Sequence, residues 1–168
     1  MKTQESGFSL IELLIVIVII GILAALSIQG ILASRRSANE GSAVSSIRLL
    51  HGAQMTYSSS FGTGEFAGTV GAGTNTGLTI LRGYELIDPV LGSGNKSGYN
   101  YVGGRQPATA TAPAQFYFSA IPVSGDTLTG TGNHRFGIAT DGVLRSDNGL
   151  SSHYPDIASV SSASPMGN

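Results

Sequence analysis

No cysteine occurs among the 168 residues. Disulfides, zinc–thiolate centres and cysteine nucleophiles are therefore excluded, and whatever holds the domain together must be packing, neighbouring chains or a bound ion. Charge is scarce as well: 11% of residues are charged, and the formal net charge is −1. That balance gives no electrostatic reason to expect nucleic acid or an acidic substrate. The length leaves room for one modest domain and little else. What the chain has in excess is glycine, 24 residues in all, gathered mostly after Phe61 among many Ser and Thr. Such a composition suits short strands, tight turns and exposed loops.

The apolar content is concentrated near the N-terminus, where residues 8–28 read FSLIELLIVIVIIGILAALSI. As a helix this stretch spans roughly 30 Å, the thickness of a bilayer core. Its only charge is Glu12, and a carboxylate inside a membrane costs up to about 3 kcal/mol, depending on depth, unless it has a partner. A run that is apolar on every side over about six turns disfavours the core helix of a soluble domain. On the residues alone three readings stand. One is a secretory signal, with Lys2 as its positive end and Ala25-Leu26-Ser27 as a cleavage site. Another is a simple signal anchor. The third is a more specific element that needs Ser6, Gly7 and Glu12 at the start of the run.

The order of residues there is specific. Gly7-Phe8-Ser9-Leu10-Ile11-Glu12, continued by Leu13-Leu14-Ile15-Val16 and by Ile20-Gly21-Ile22-Leu23-Ala24-Ala25, closely resembles the processing signal of type IV prepilins. The resemblance implies cleavage between Gly7 and Phe8 by a membrane-embedded prepilin peptidase, which also methylates the new N-terminus at Phe8. Glycine before the bond leaves the backbone open to such an enzyme. Cleavage creates a cationic amine at the edge of an apolar helix, with Glu12 four residues along, about 6 Å up the axis. Opposite charges in a low dielectric attract strongly, and each is costly alone. In the family the glutamate of an incoming subunit neutralises the amine of a neighbour, so the resemblance makes Glu12 and Phe8 the assembly residues and Glu12 a register device. The bland alternatives for Glu12 are snorkelling to the interface or pairing with its own amine.

Two features depart from the family pattern. Where many members carry a proline after the stretch ending at Ile28, this chain has Gln29-Gly30. Glycine costs a helix about 1 kcal/mol relative to alanine, so Gly21 and Gly30 are the weak points of an otherwise strong helix. Arg35 and Arg36 follow the span while only Lys2 and the amine precede it, so charge counting alone favours the opposite orientation or leaves it undecided.

Beyond the anchor, Ala43, Ile47, Leu50, Tyr57 and Phe61 recur at helical spacing, with Gln54 interposed on the same face. They predict that the helix continues to Phe61 and docks that stripe on a sheet. Residues 62–77 read as a loop. A short helix is expected from Thr76 to Leu86, stopped by Asp88-Pro89, and Gly92–Gly98 reads as a second glycine loop. Strands are expected at Tyr99–Val102, Gln115–Val123, Arg135–Ala139 and Val143–Ser146, the last two joined by a hairpin at Thr140-Asp141-Gly142. The fold class is α+β: three or four antiparallel strands on the distal half of a long N-terminal helix, in agreement with the lollipop of pilins. The expected segments are a cleaved leader (1–7), a membrane or filament-core helix (8–32), an amphipathic continuation (33–61) and a head (62–168) ending in a loose tail from Ser159.

Chemical motifs are weak by comparison. Gly92–Gly98 has the look of a phosphate loop, but Asn95 stands where a P-loop needs glycine before its lysine. Asn95-Lys96-Ser97 matches a glycosylation sequon. His51, His134 and His153 lack metal-ligand spacing. Asp141, Asp147 and Asp156 lie where some related pseudopilins bind calcium, yet no compact carboxylate cluster is present, so neither a metal site nor a cofactor is expected. No catalytic residue is expected either, since no nucleophile elbow is present. The reading is a structural subunit of a type IV pilus-like filament, held in the inner membrane as a single-pass precursor. After assembly it lies in an extracellular pilus or a periplasmic filament. Its partners are identical subunits, the prepilin peptidase and an assembly machine with its ATPase. The alternatives are a minor pilin, a type II secretion pseudopilin, or an anchored binding protein that never polymerises. Glu12 and the Gly/Ser/Thr-rich surface favour a major pilin.

Overall fold

A computed structural model describes residues 7–71, 73–126 and 129–167. The leader expected over residues 1–7, Lys2 included, lies outside the described residues except for Gly7. The chain divides into two compact units between Arg35 and Arg36. Helix α1, Leu10–Ser60, supplies nearly all of the described first unit and the opening segment of the second.

In the N-terminal unit the helix is unbroken through Gly21 and Gly30. Apart from the helix's own backbone, neither glycine has a described atom within 4 Å of where a Cβ would stand. The β-branched and leucine side chains around them supply enough propensity to carry two unfavourable residues. Every residue from Gly7 to Ile31 is exposed, and the helix is long and apolar enough to cross a membrane.

The C-terminal unit is α+β. After α1 come α2 (Thr76–Gly83), α3 (Pro89–Gly92), β1 (Asn95–Lys96), β2 (Tyr99–Gln106), β3 (Gln115–Pro122), β4 (Arg135–Ala139), β5 (Leu144–Asp147) and α4 (Ile157–Ser162). The strands form one antiparallel sheet in chain order β1-β2-β3-β4-β5. Five strands thus replace the three or four expected. The missed one, β1, is two residues long and sits inside the presumed Gly92–Gly98 loop. Its turn to β2 is Ser97-Gly98, with φ of 49° and 73°, the pair of positive values that suits the twist of a two-residue hairpin.

Alternation along the strands sets the core. Tyr99, Tyr101, Phe116, Phe118, Ala120, Phe136, Ile138 and Leu144 turn one face of the sheet to Ala43, Ile47 and Leu50 of α1. Gly103 is required on that face, because a Cβ there would overlap the Phe118 ring. Tyr57 is half-buried against the same core. Phe61, expected to complete the stripe, instead lies one residue past the helix end and is 48% exposed. It is stacked on Tyr84 at 4.5 Å between ring centroids. Gln54, interposed in the stripe, is buried without cost to the fold. Its Oε1 accepts from Ala67 N–H at 2.8 Å and its Nε2 donates to Ala67 C=O at 2.6 Å, so both ends of the amide are satisfied.

Two boundaries differ for identifiable reasons. Asp88-Pro89, read as a stop, is a start: Asp88 caps α3 by accepting Leu91 N–H at 3.0 Å, with proline in the first turn where its missing N–H is no loss. The expected loose tail is ordered. Asp156 and Ser159 form a reciprocal capping box at α4, Val160 is wholly buried with Tyr117, Ala139 and Tyr154 on the outer face of the sheet, and Met166 N–H donates to Leu144 C=O at 2.9 Å, extending the edge of β5. A small polar composition hid an element that its cap specifies.

The end of α2 holds a strained residue. Leu86 N–H returns to Leu81 C=O at 3.0 Å and Glu85 N–H to Arg82 C=O at 2.9 Å. This is a Schellman closure whose left-handed position is glutamate, φ 57°, where glycine is favoured. Glu85→Gly is expected to stabilise the C-terminal unit by about 0.5–1 kcal/mol, and Glu85→Ala to give no gain. A chemical denaturation midpoint that rises equally for both variants would show that φ is not the cause.

Candidate functional site

The segment singled out by sequence sits at the start of α1. Residues 7–9 have no regular structure. Beyond its chain neighbours, no described atom lies within 4 Å of the would-be Cβ of Gly7, and Phe8 is 79% exposed. The Gly7–Phe8 bond therefore lies in irregular, accessible chain just ahead of the first helical turn, where a peptidase can engage the backbone without unwinding a helix.

Ser9 stands immediately before the helix, and Leu13 N–H donates to its carbonyl at 3.3 Å. Ser9 N–H donates in turn to Glu12 Oε2 at 3.2 Å. The glutamate thus satisfies one of the donors that a helix start leaves open, and its negative charge lies at the positive end of the helix dipole. Ser9-x-x-Glu12 is a capping-box spacing, a signal legible in the sequence beside the processing motif. It gives Glu12 a local role in the uncleaved chain and holds its carboxylate at the N-terminal end of the apolar helix.

The other sequence candidates are distributed elsewhere and do not converge. His51 lies 5.4 Å from Phe116, ring centre to ring centre. His134 Nδ1 is 3.2 Å from Glu40 Oε2, and the same carboxylate accepts Asn133 N–H at 2.6 Å. His153 Nδ1 is 3.1 Å from the Ser119 hydroxyl. Among the described residues no three His, Asp or Glu gather as metal ligands would.

The three aspartates considered for calcium each have protein partners. Asp141 pairs with Arg145 at 2.6 Å, and that guanidinium above all holds its carboxyl below the usual range. Asp156 caps α4, and the Ser159 N–H lowers its carboxyl likewise. Asp147 accepts Arg135 at 2.6 and 3.0 Å, the Tyr154 hydroxyl at 2.9 Å and Gly149 N–H at 2.8 Å. Burial pushes its carboxyl up, but Arg135 and the other donors outweigh burial and leave it below the usual range. Arg135 also lies over the Tyr154 ring at 3.8 Å and donates to Ser152 C=O at 2.7 Å. This fully bonded network ties residues 147–154 to β4, a task that disulfides or metals perform in other small domains. Gly92–Gly98, the false phosphate loop, holds the end of α3, β1 and the turn into β2.

Known proteins agree with the N-terminal reading. Residues 2–28 match the family model "Prokaryotic N-terminal methylation motif". The chain is 32% identical over 96 residues to the type II secretion system core protein G of Escherichia coli (strain K12), covering 57% of this chain and 61% of that protein. It is 41% identical over 56 residues to the protein of the same name from Aeromonas hydrophila, covering 33% of this chain and 39% of the relative. The chain thus spans less than two thirds of the length of either relative. No solved structure gives a significant match. The methylation motif and the likeness to these secretion proteins, carried on a long N-terminal helix and a small antiparallel sheet, are consistent with a type IV pilin-like family.

Proposed function

We propose that this chain is a structural, non-enzymatic subunit of a type IV pilus-like filament. It is cut between Gly7 and Phe8 by a prepilin peptidase, methylated at Phe8, and polymerised with identical subunits through its N-terminal helix. The observation that carries the proposal is the coincidence of the methylation motif with a helix whose residues are exposed on every side from Leu10 to Ile31. A surface of that kind needs lipid before assembly and other apolar helices after it. The inner membrane supplies the first environment, and a bundle of identical helices, built by an ATPase-driven machine, supplies the second.

A second reading, the periplasmic filament of a type II secretion system, is favoured by the similarity to the two secretion core proteins. Both readings share processing, which an intact-mass measurement tests. The mature chain is expected to begin at Phe8 and carry one extra methyl group. Gly7→Leu should leave full-length precursor in the membrane, because a branched side chain obstructs the approach to the bond. A mature chain beginning at Met1 or Ile28 would refute it. Recovery of sheared filaments from the cell surface, against their confinement to the periplasm, separates pilus from secretion filament.

A further inference from the structure

A cleft of about 440 Å³ opens on the C-terminal unit beside β2. Four chain segments meet there: Asn75 before α2, the Gly94–Asn95 turn, Asn100 and Val102 of β2, and His153 from the loop leading to α4. Among the described residues no Asp, Glu, Lys or Arg lines it. The cleft is walled by neutral groups that both donate and accept hydrogen bonds.

Their internal bonding leaves a definite set of valences. Asn95 Nδ2 donates to Asn100 Oδ1 at 2.9 Å. That bond fixes both amides and leaves Asn95 Oδ1 as an acceptor beside Asn100 Nδ2 as a donor. Asn75 holds the N-cap position of α2 yet makes no side-chain cap bond. Its Nδ2 instead lies 3.8 Å from where a Gly94 Cβ would stand. An asparagine that forgoes the local bond its position favours keeps a whole carboxamide available to the cleft. The Ser119 hydroxyl, wholly buried, accepts Tyr154 N–H at 3.1 Å and lies 3.1 Å from His153 Nδ1. The imidazole lines the cleft and offers a donor or an acceptor according to its tautomer. Burial lowers the His153 imidazole and favours its neutral form. Val102 adds an apolar surface among these groups.

We propose that this cleft binds a neutral, polyhydroxylated ligand, a pyranose sugar unit. Adjacent hydroxyls on a sugar ring each donate and accept, which matches the paired donor and acceptor left by Asn95 and Asn100. The Asn75 carboxamide and the His153 ring meet further hydroxyls, and Val102 meets the C–H face of the ring. The lack of ionised groups disfavours phosphate and charged peptides, which would be desolvated without a counter-charge.

The test uses the full chain in zwitterionic micelles, free of sugar-headed detergent. Amide chemical shifts are followed as glucose, galactose, N-acetylglucosamine and their trisaccharides are added, with inorganic phosphate as the charged control. The expected result is saturable movement of the Asn75, Asn95, Asn100 and His153 signals by at least one neutral sugar, with Kd in the millimolar range or below. Asn75→Ala and Asn100→Ala are expected to weaken it by about tenfold each, with unchanged spectra elsewhere confirming that they fold. A trisaccharide that binds more tightly than its monosaccharide assigns the ligand to a polysaccharide, and equal binding assigns it to a free sugar. Movement by phosphate alone, shifts that survive both variants, or no saturable shift with any sugar would overturn the proposal.

Discussion

Ile47→Asp is expected to unfold the C-terminal unit outright. Ile47 has no exposed surface and sits between Ala43 and Leu50 on the helix face that meets the sheet. Truncating such a side chain costs about 1–5 kcal/mol, and an unpaired buried carboxylate adds several more. The sum is comparable to the whole stability of an ordinary domain, about 5–15 kcal/mol. A chain beginning at Ala33, free of the apolar segment, provides the comparison: wild type is expected to be soluble and to melt cooperatively, and the variant to aggregate or lack a transition. The exposed neighbour Leu49 supplies the control, since Leu49→Asp should leave melting nearly unchanged. A cooperative, wild-type-like transition in Ile47→Asp would mean that the helix does not bury this face against the sheet.

Glu12→Ala is expected to be processed normally and to enter filaments poorly in competition with wild type. Once the chain begins at Phe8, its amine needs an anionic partner in an apolar surround, and an unpaired charge there costs several kcal/mol. Since 1.4 kcal/mol corresponds to tenfold, incorporation should fall by at least about tenfold. The bond from Ser9 N–H to Glu12 offers a competing explanation through helix capping, and Glu12→Gln separates the two. Glutamine retains a carbonyl acceptor for Ser9 but no charge. Failure of both variants identifies the charge as the requirement, whereas normal assembly of Glu12→Gln identifies the cap. Equal incorporation of Glu12→Ala and wild type, measured by mass spectrometry of purified filaments, would remove Glu12 from assembly altogether.

The parts of this fold that were legible in the sequence are those written by periodicity or by dense local chemistry. The apolar run, the Ala43–Ile47–Leu50 stripe and the Arg135–Ala139 strand each repeat one signal over several residues. The parts that escaped are brief or compensated. The strand Asn95–Lys96 is too short to alternate, and only its positive-φ turn residues mark it. Gln54 breaks an apolar face by composition, yet its two bonds to Ala67 make it as much a core residue as its neighbours. The C-terminal helix looked like tail because Ser and Ala carry little hydrophobic signal, although Asp156 and Ser159 stood at capping distance. Phe61 failed for the opposite reason: its spacing fitted the stripe, but the helix stops at Ser60. At the processing segment Gly7, Phe8 and Glu12 were legible as a motif, and the Ser9-x-x-Glu12 spacing was equally legible as a capping box whose bond the structure shows. The polar cleft drew no notice, since its residues come from four separated segments that only the fold assembles.

The central claim is that the N-terminal helix leaves the bilayer only to be buried among copies of itself. Fifteen large apolar side chains lie exposed on it from Leu10 to Ile31, and leaving them in water would cost tens of kcal/mol at roughly 1.5–3 kcal/mol each. The most direct measurement is exhaustive proteolysis of purified filaments, checked as intact by microscopy, followed by mass analysis of what remains. The account predicts a protected fragment that begins at methylated Phe8 and runs through Ile28, even where the C-terminal unit has been trimmed. Rapid cleavage between Leu13 and Leu26 in filaments that remain intact would contradict it.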